Sequence, residues 1–493
     1  MLYLCTTIKI TVKTKEIMTT LLGAMQTRNS FTENGMVTNS SSLNECVNLF
    51  FQIGAMRGQD KTRLINAFTK AFAENPLTAM KLLFWARDIR GGAGERQIFK
   101  DIVSYLANNR TEVMRKNLYL IPEFGRWDDI EVLFGTPLES EVLKLISSAL
   151  SDKNGLCAKW MPRPNVKNRE YKKIGNTIRK HLGLTPKEYR KLLVENSNTV
   201  EQLMCAKEFS KIDYNKLPSK AMSDYMKAFS KNDLLRFQDY LSKLEKGEAK
   251  INAGALYPYD VIKNLKQNNV KGADLQWNSL PNFMETNNER IIPLVDVSVS
   301  MDIPVANNPN LKVMDIAVSL GLYISERNIA PFKDAFITFE TNPKLYVVRG
   351  SLSERYRQMI GSPWGGSTDL EKAFGLVLDS AVRHKVPQSE MPTMMLILSD
   401  MEFNRASRWS DTAQDMIERK FKASGYEMPK IVYWNLASRG DTNKPVHFDK
   451  NGTALVSGFS PSILTNLLGG NEMTPYSMMM KVIDSERYRS VTI

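Results

Sequence analysis

From about residue 43 to residue 288, apolar residues recur three and four positions apart, the spacing that places them on one face of an α-helix. Short Gly, Pro or Asn breaks separate the segments. The predicted helices lie near residues 43–56, 60–74, 77–88, 95–108, 138–151, 185–195, 218–230, 232–246 and 258–267. Because no strand pattern interrupts them, the sequence predicts an all-α domain over residues 43–288. Stacked helical pairs are one arrangement, although no strict repeat is visible.

After residue 289 the pattern changes to buried-type strands separated by helices. An apolar, β-branched run begins at Ile291 and reads as a buried parallel strand. Further strands are predicted at 334–340, 345–348, 393–399, 430–436 and 453–457, and helices at 313–328, 369–385, 411–424 and 461–468. This alternation predicts a doubly wound α/β domain over residues 289–470. The methionine-rich tail, 471–493, is predicted to be a helical segment packed on the domain.

The first 42 residues fit neither pattern. Residues 1–17 alternate like a strand but lack the apolar core and cleavage site of a signal peptide, and a start at Met18 would be more natural. The following polar stretch is rich in Asn, Ser and Thr, and Thr32-Glu-Asn-Gly35 predicts a turn. We therefore expect an extended N-terminal arm over residues 1–42.

Candidate chemistry appears where the predicted strands end. The first strand runs into Asp296-x-Ser298-x-Ser300, and the strand at 393–399 ends at Asp400. Between them, the glycine-rich loop Gly365-Gly-Ser-Thr368-Asp leads into a helix. Since the carboxyl ends of parallel strands meet at one edge of a sheet, these oxygen ligands are expected to converge. Such ligands suit Mg²⁺ or Mn²⁺ and not zinc, although polar strand ends that cap helices give a similar pattern.

This triple resembles the metal-ion-dependent adhesion site of von Willebrand factor A domains. That site takes Asp-x-Ser-x-Ser from a first loop, Thr from a second and Asp from a third. The resemblance implies a von Willebrand A fold for residues 289–470. It also implies metal binding by Asp296, Ser298, Ser300, Thr368 and Asp400, with one position left open for a carboxylate from a protein partner.

Composition separates the two halves by charge. The chain of 493 residues carries a formal net charge of +13, and residues 290–493 hold 23 Lys+Arg and 22 Asp+Glu. Almost the whole positive excess therefore lies in the N-terminal part, which suggests a polyanionic partner for it. The four cysteines lack disulfide or zinc spacing, so we expect a reducing, cytoplasmic location. No apolar run approaches about 18 residues, so no transmembrane helix and no membrane partner are predicted.

The basic excess is densest between Lys159 and Lys191. Eleven of these 33 residues are Lys or Arg, and only Glu170 and Glu188 oppose them. Trp160, Tyr171 and Tyr189 interrupt the run and are expected to offer stacking faces to unpaired bases. The predicted RNA contacts in this run are Lys159, Arg163, Lys167, Arg169, Lys172, Lys173, Arg179 and Lys180. The alternative is a solvated charged face without a ligand.

A second candidate for phosphate binding is the glycine loop within Arg87-Asp-Ile-Arg-Gly-Gly-Ala-Gly-Glu-Arg96. Free amides at the start of the following helix would hold a phosphate, with Arg90 and Arg96 beside them. It is not a P-loop, because no Gly-Lys-Ser/Thr follows. A tight turn in which Asp88, Glu95 and the arginines form structural ion pairs is the alternative.

That glycine loop, the Thr32-Glu-Asn-Gly35 arm and Pro122-Glu-Phe-Gly-Arg-Trp-Asp-Asp129 resemble the helical TROVE domain of the Ro ribonucleoproteins. A family of uncharacterised plant, fungal and viral proteins, in which a TROVE-like region precedes a von Willebrand A domain, is closer still. Its middle is matched by stretches beginning at Tyr171, Ile212 and Lys250. Ro proteins bind structured and misfolded RNA through a ring of helical repeats, so the resemblance implies RNA binding.

These observations predict a ribonucleoprotein component. The α domain is expected to bind a small structured or single-stranded RNA, and the metal-bearing domain a protein partner. A protein-interaction adaptor that works through the metal site without RNA is the alternative. A metal-dependent hydrolase is least favoured and no enzymatic activity is expected, because the sequence offers no convincing nucleophile–base pair.

Overall fold

The structure is a computed structural model. It describes residues 30–493 apart from 198, 247, 250–255, 268, 269, 307, 340, 341, 364–367, 406–411, 441, 442 and 469–472. Most of the predicted arm and the glycines of the loop before Thr368 lie outside the described residues. The described part of the chain consists of a helical region and a region built on a β-sheet.

The N-terminal region is helical. Its helices are α1 (Glu45–Ile53), α2 (Lys61–Glu74), α3 (Pro76–Arg87), α4 (Arg96–Asn109), α5 (Thr111–Lys116), α6 (Ile121–Phe124), α7 (Glu139–Ser151), α8 (Gly155–Trp160), α9 (Arg169–His181), α10 (Pro186–Ser197), α11 (Val200–Cys205), α12 (Ser219–Asn232), α13 (Leu234–Glu245), α14 (Pro258–Lys266) and α15 (Val270–Asn278). Local signals start several of them: Asp60 caps α2, Asn75 caps α3 with Pro76 in its first turn, and Asn168 caps α9. The predicted all-α region is confirmed.

The C-terminal region is built on a sheet of six strands. Its strands are β3 (Ile291–Val295), β6 (Ala335–Thr338), β7 (Leu345–Val347), β8 (Met394–Ser399), β9 (Lys430–Asn435) and β10 (Thr453–Ser457), in the spatial order β10-β9-β8-β3-β6-β7. All neighbours are parallel except β7, which pairs antiparallel with β6. An α/β region after the helical one is thus confirmed, with one antiparallel edge strand added.

Further helices and two short hairpins surround this sheet in the described part of the chain. The helices of the α/β region are α16 (Val313–Arg327), α17 (Leu352–Ile360), α18 (Leu370–His384), α19 (Ala413–Ala423), α20 (Leu464–Leu467) and α21 (Pro475–Ile483). One hairpin pairs β1 (Ser30–Phe31) with β2 (Val37–Thr38) in the arm, and the other pairs β4 (Pro304–Val305) with β5 (Asn308–Lys312). None of the described helices combines the length and the apolar composition needed to cross a bilayer.

Chain order places the switch point of the sheet beside β3. From β3 the chain moves outward to β6 and β7, and then returns to the other side for β8, β9 and β10. Ligands of open α/β sheets bind where the strand order reverses in this way, at the carboxyl ends of the strands. Here that point is the gap between the ends of β3 and β8.

The helical region and the sheet share a continuous core. Helix α1 lies against β9 and β10, and two side chains of the sheet bond to its last turn. Ser457 Oγ donates to the carbonyl of Phe50 at 2.6 Å, and Asn435 Nδ2 donates to that of Phe51 at 3.0 Å. A Cβ on Gly54 would come within 2.7 Å of the backbone of Gly458, so the two chain segments touch through glycine. The two regions are therefore packed as closely as the layers of one domain.

The C-terminal tail returns to the helical region. Tyr488 is buried, stacks on Phe124 at 5.5 Å between ring centroids, and donates its hydroxyl to Asp88 Oδ2 at 3.0 Å. The Arg487 guanidinium forms a bidentate ion pair with the same carboxylate. The N–H of Thr492 donates to Asn117 Oδ1 at 3.0 Å. The tail thus supplies the ion-pair partner and a hydroxyl donor of a carboxylate that lies 399 positions before Arg487, in addition to the local Arg90 N–H.

Candidate metal centre and RNA-binding surface

Asp296 is the innermost residue of the candidate metal centre. It follows β3 directly, and its N–H donates to the carbonyl of Leu398 on β8 at 3.0 Å. Ser399 Oγ donates to Asp296 Oδ2 at 2.6 Å. The Asp296 side chain is fully buried. Register between the two strands therefore fixes this carboxylate at the switch point of the sheet.

The two serines of the first loop lie around Asp296. The N–H of Ser298 donates to Asp296 Oδ1 at 3.0 Å, which turns the chain back over the carboxylate. The hydroxyls of Ser298 and Ser300 are 2.9 Å apart. Ser298 is buried and Ser300 is partly exposed, so Ser300 marks the mouth of the site.

Asp400 brings a second buried carboxylate to the same place. Burial raises the pKa of Asp296, and repulsion from Asp400 raises it further. The pKa of Asp400 is also raised, mainly by burial, while Arg439 and the Ser300 hydroxyl oppose the shift. A cation placed between the two carboxylates would offset both the cost of their burial and their mutual repulsion.

Thr368 reaches the centre through the Asp400 loop. Its N–H donates to Asn404 Oδ1 at 3.2 Å, and the Asn404 N–H donates to the Thr368 carbonyl at 2.9 Å. Thr368 is buried. The structure thus draws the five residues predicted as metal ligands towards one end of the sheet.

Arg439 is a component that the sequence did not reveal. Its Nε lies 3.1 Å from Asp400 Oδ2, but the N–H is not aligned with the oxygen, and neither atom has a hydrogen-bond partner among the described residues. Another nitrogen of the guanidinium donates to the Ser300 carbonyl, and a third lies 3.3 Å from Glu33 Oε2. Arg439 therefore places a positive charge at the mouth of the centre, beside Asp400.

The N-terminal arm closes over the Asp400 loop. Thr32 Oγ1 donates to the Phe403 carbonyl at 2.5 Å, and the Glu33 N–H donates to Glu402 Oε2 at 2.5 Å. Asn34 Nδ2 donates to the Glu402 carbonyl at 2.7 Å. The turn predicted at Thr32–Gly35 is therefore a clamp on the loop that carries Asp400, and it places the Glu33 carboxylate beside the centre.

The donor set fits a hard divalent cation. Two carboxylates and three hydroxyls provide oxygen alone, which is the preference of Mg²⁺. Asp400 Oδ2 is buried and without a hydrogen bond in the described structure, as expected of an atom reserved for an ion. Within the described ranges, no three His, Cys, Asp or Glu side chains are grouped so that they could hold a metal ion, so this centre depends on its hydroxyl ligands. The residues therefore fit Mg²⁺ or Mn²⁺.

The basic run between Lys159 and Lys191 forms mainly α9 and α10. Five of its predicted RNA contacts are exposed and form no ion pair with any described carboxylate: Lys167, Arg169, Lys172, Lys173 and Lys180. Lys159 instead pairs with Glu201 at 3.3 Å, and Arg179 donates to the Leu184 carbonyl at 2.7 Å. Arg163 is half-buried. The free cations thus cluster at the start and on the outer side of α9.

The three aromatic residues of the run differ in exposure. Tyr189 is fully buried and is a core residue, so the expectation of a stacking face there is wrong. Trp160 is half-buried, and the Arg126 guanidinium covers its ring at 4.0 Å from the centroid. Tyr171 is 42% exposed. Of the three, only Tyr171 has an open ring in the described structure.

The glycine loop at residues 91–94 is a closed turn. The N–H groups of Gly92 and Gly94 donate to the Asp88 carbonyl at 3.1 and 3.2 Å, and that of Glu95 donates to the Ala86 carbonyl at 2.6 Å. These amides are therefore not free for a phosphate. Arg90 is exposed, without a described ion-pair partner.

The charged residues around this loop form ion pairs. Glu95 accepts two hydrogen bonds from Arg57, at 2.8 and 3.0 Å. Arg96 Nε donates to Asp129 Oδ1 at 2.8 Å, and its Nη2 to Asp128 Oδ2 at 2.5 Å. Arg96 is therefore engaged in structural ion pairs, as expected for the alternative in which this loop is a tight turn and not a phosphate site.

Comparisons with known proteins divide the chain into two parts. Residues 290–490 match a domain of unknown function, DUF7788, and residues 32–126 and 167–289 match another, DUF2828. The chain is 29% identical over 511 aligned residues to an uncharacterized protein of Acanthamoeba polyphaga mimivirus, and the alignment spans 92% of this chain and 87% of the viral protein. The chain is therefore similar to two domains of unknown function in tandem, and to a viral protein of comparable span.

Proposed function

We propose that this protein is an RNA-binding ribonucleoprotein component. Its helical region, related to TROVE domains, binds a small structured or single-stranded RNA. Its α/β region, of the von Willebrand A type, holds Mg²⁺ and through it a protein partner. The observation that carries RNA binding is the row of exposed cations on α9 that pair with no described carboxylate, beside the open ring of Tyr171. Together they offer what an unpaired strand requires, phosphate contacts and a stacking face.

The metal half of the proposal rests on the cluster at the switch point. Asp296, Ser298, Ser300, Thr368 and Asp400 would hold the ion, which supplies a Lewis-acidic position for a carboxylate of the partner. Arg439 and Glu33 stand at the mouth of this centre. Binding of the ion would therefore compete with the guanidinium for Asp400.

RNA binding is tested by charge reversal on α9. A fluorescent oligouridylate of about twelve nucleotides is titrated with the full-length protein at several salt concentrations. Replacing Lys167, Arg169, Lys172 and Lys180 by Glu should weaken binding and flatten the salt dependence, because each lost phosphate contact removes about 0.7 from the slope of log affinity against log salt.

The control reverses four exposed lysines of the same region that lie outside the basic run: Lys207, Lys227, Lys231 and Lys246. This variant has the same net charge but should retain most of the slope. Equal slopes for the wild type and the α9 variant would show that RNA binds elsewhere, and absence of binding by the wild type would refute the proposal.

Metal binding is tested by Mg²⁺ and Mn²⁺ titration calorimetry. Asp296→Asn keeps the shape of the side chain but removes its charge, and should lower the affinity by at least about tenfold. Arg439→Ala removes the competing guanidinium and should raise the affinity. A wild-type protein that binds neither ion, or an Asp296→Asn variant with unchanged affinity, would refute the metal centre.

A further inference from the structure

A cleft of about 310 Å³ opens beside the basic run. Its walls include Lys100 of α4, Glu131 and the N-terminal half of α9, with Tyr171 and Lys173. The cleft shares no residue with the metal centre. Its volume is at the lower end of the range of small-molecule sites, about 300–1,000 Å³.

Glu131 is the unusual residue of this cleft. Its side chain is only 7% exposed, and its Oε2 has no hydrogen-bond partner in the described structure. The nearest cation, Lys100 Nζ, lies 3.9 Å from that oxygen and donates instead to the Asp128 carbonyl at 3.3 Å. A buried carboxylate oxygen without a donor costs stability, and in the wall of a cleft such an oxygen is a candidate acceptor for a donor on a ligand.

The electrostatics around Glu131 lead to the same conclusion. Burial raises its pKa to about 7, and Asp128 and Asp129 add to the shift, while Lys100 and Arg96 oppose it. Glu131 in turn is the main cause of the raised pKa of Tyr171. The carboxyl is therefore poorly neutralised by the protein, although two lysines line the same cleft.

The cleft combines an aromatic ring with charged side chains. Tyr171 places a partly exposed ring at its edge, and the unpaired cations Lys172 and Lys173 follow on the same helix. Two lysines, Lys100 and Lys173, and three acids, Glu131, Glu139 and Glu170, line the cleft, so it offers both cations for a phosphate and acceptors for N–H donors. A neutral, planar base attached to a phosphate chain satisfies the acid, the ring and the lysines together.

We propose that this cleft binds one unpaired guanine base of the RNA, with the Glu131 carboxylate accepting hydrogen bonds from its N1–H and N2–H groups. Guanine presents two parallel N–H donors on its Watson–Crick edge, which match the two oxygens of a carboxylate. Adenine and cytosine present one amino donor beside an acceptor, and uracil one N–H between two carbonyl oxygens. The inference rests on the proposed RNA binding and adds base selectivity to it.

The experiment compares oligouridylates of about twelve nucleotides that carry one central G, A, C or U. Binding to the full-length protein is measured by fluorescence anisotropy. We expect the G-containing strand to bind about tenfold more tightly than the all-U strand, the gain of one good bidentate base contact. Glu131→Gln should abolish this preference without weakening the binding of the all-U strand, because the phosphate contacts remain and the substitution removes a negative charge.

Glu170→Gln is the matched control, since this exposed acid lines the same cleft, and it should keep the preference for G. Thermal melting at pH 8 verifies that Glu131→Gln is folded. Equal binding of all four strands by the wild type, or a G preference that survives Glu131→Gln, would overturn the inference while RNA binding stands. If none of the four strands binds, the proposed function fails as well.

Discussion

Replacing Asp129 with Ala is expected to lower the free energy of unfolding by about 3–5 kcal/mol. Asp129 is completely buried, and its Oδ2 accepts from Arg87 Nε at 2.7 Å. Arg87 itself is only 2% exposed. The substitution would leave a guanidinium buried without its carboxylate, and that uncompensated charge is the main cost.

Two further bonds would be lost with Asp129. Arg96 Nε donates to its Oδ1 at 2.8 Å, and the Arg126 N–H donates to its Oδ2 at 3.0 Å. Burial alone would raise the pKa of Asp129, but the charge of Arg87 and these bonds hold it below its usual value. The carboxylate is therefore ionised and engaged at neutral pH.

Chemical denaturation of the full-length protein, followed by tryptophan fluorescence, measures this loss. Asp152→Ala serves as the control, because Asp152 is exposed and the same substitution there should change stability by less than about 0.5 kcal/mol. A change at Asp129 as small as that at Asp152 would mean that Arg87 finds another partner or reaches water.

Tyr488→Ala is expected to cost a similar amount, about 3–5 kcal/mol, because it removes a buried aromatic ring from beneath Phe124. It also removes a donor to Asp88, which is itself buried. Tyr488→Phe keeps the ring and loses only the hydroxyl, so its cost should be about 1–3 kcal/mol.

Melting temperatures of the two variants separate the ring from the hydrogen bond. Tyr119→Ala is the control for loss of an aromatic side chain, since Tyr119 is 52% exposed. Near-identical melting of Tyr488→Ala and the wild type would show that the tail contributes nothing to the helical region.

The parts of the fold that could be predicted were those with local signals. The buried strands β3, β8 and β9 are continuous apolar runs, and most helices of the first half have apolar residues at helical spacing. The predicted strands also place the candidate metal loops next to one another, because the carboxyl ends of neighbouring parallel strands lie at the same edge of a sheet. Metal binding itself stays a prediction.

Helix α9 was missed because its apolar side is narrow. Among its buried positions are only Gly175 and Ile178, and basic residues dominate the rest. Charge density drew attention to the stretch, and its narrow row of Tyr171, Ile174, Ile178 and Leu182, spaced three and four positions apart, was overlooked. Tyr189 was misjudged for a related reason: a tyrosine within a basic run looks exposed, whereas its position on α10 faces the core.

Long-range contacts could not be predicted from the local sequence pattern. Arg439 meets Glu33 across 406 positions, and Arg487 meets Asp88 across 399. Nothing in the neighbourhood of either arginine indicates its partner. The environment of Glu131 could not be predicted either. The lack of a hydrogen-bond donor to its Oε2 depends on how Lys100 and α9 pack around it.

The docked tail also sets the order in which the helical region can be completed during synthesis. Helices α3 and α6 leave the ribosome early, but Asp88 and Phe124 must wait for Arg487 and Tyr488, which are translated much later. Until then the helical region carries a carboxylate without its ion-pair partner and an uncovered aromatic face. A nascent chain, or one that ends at a premature stop codon, would therefore expose the apolar surface around Phe124 to chaperones and proteases. The docked tail buries this surface.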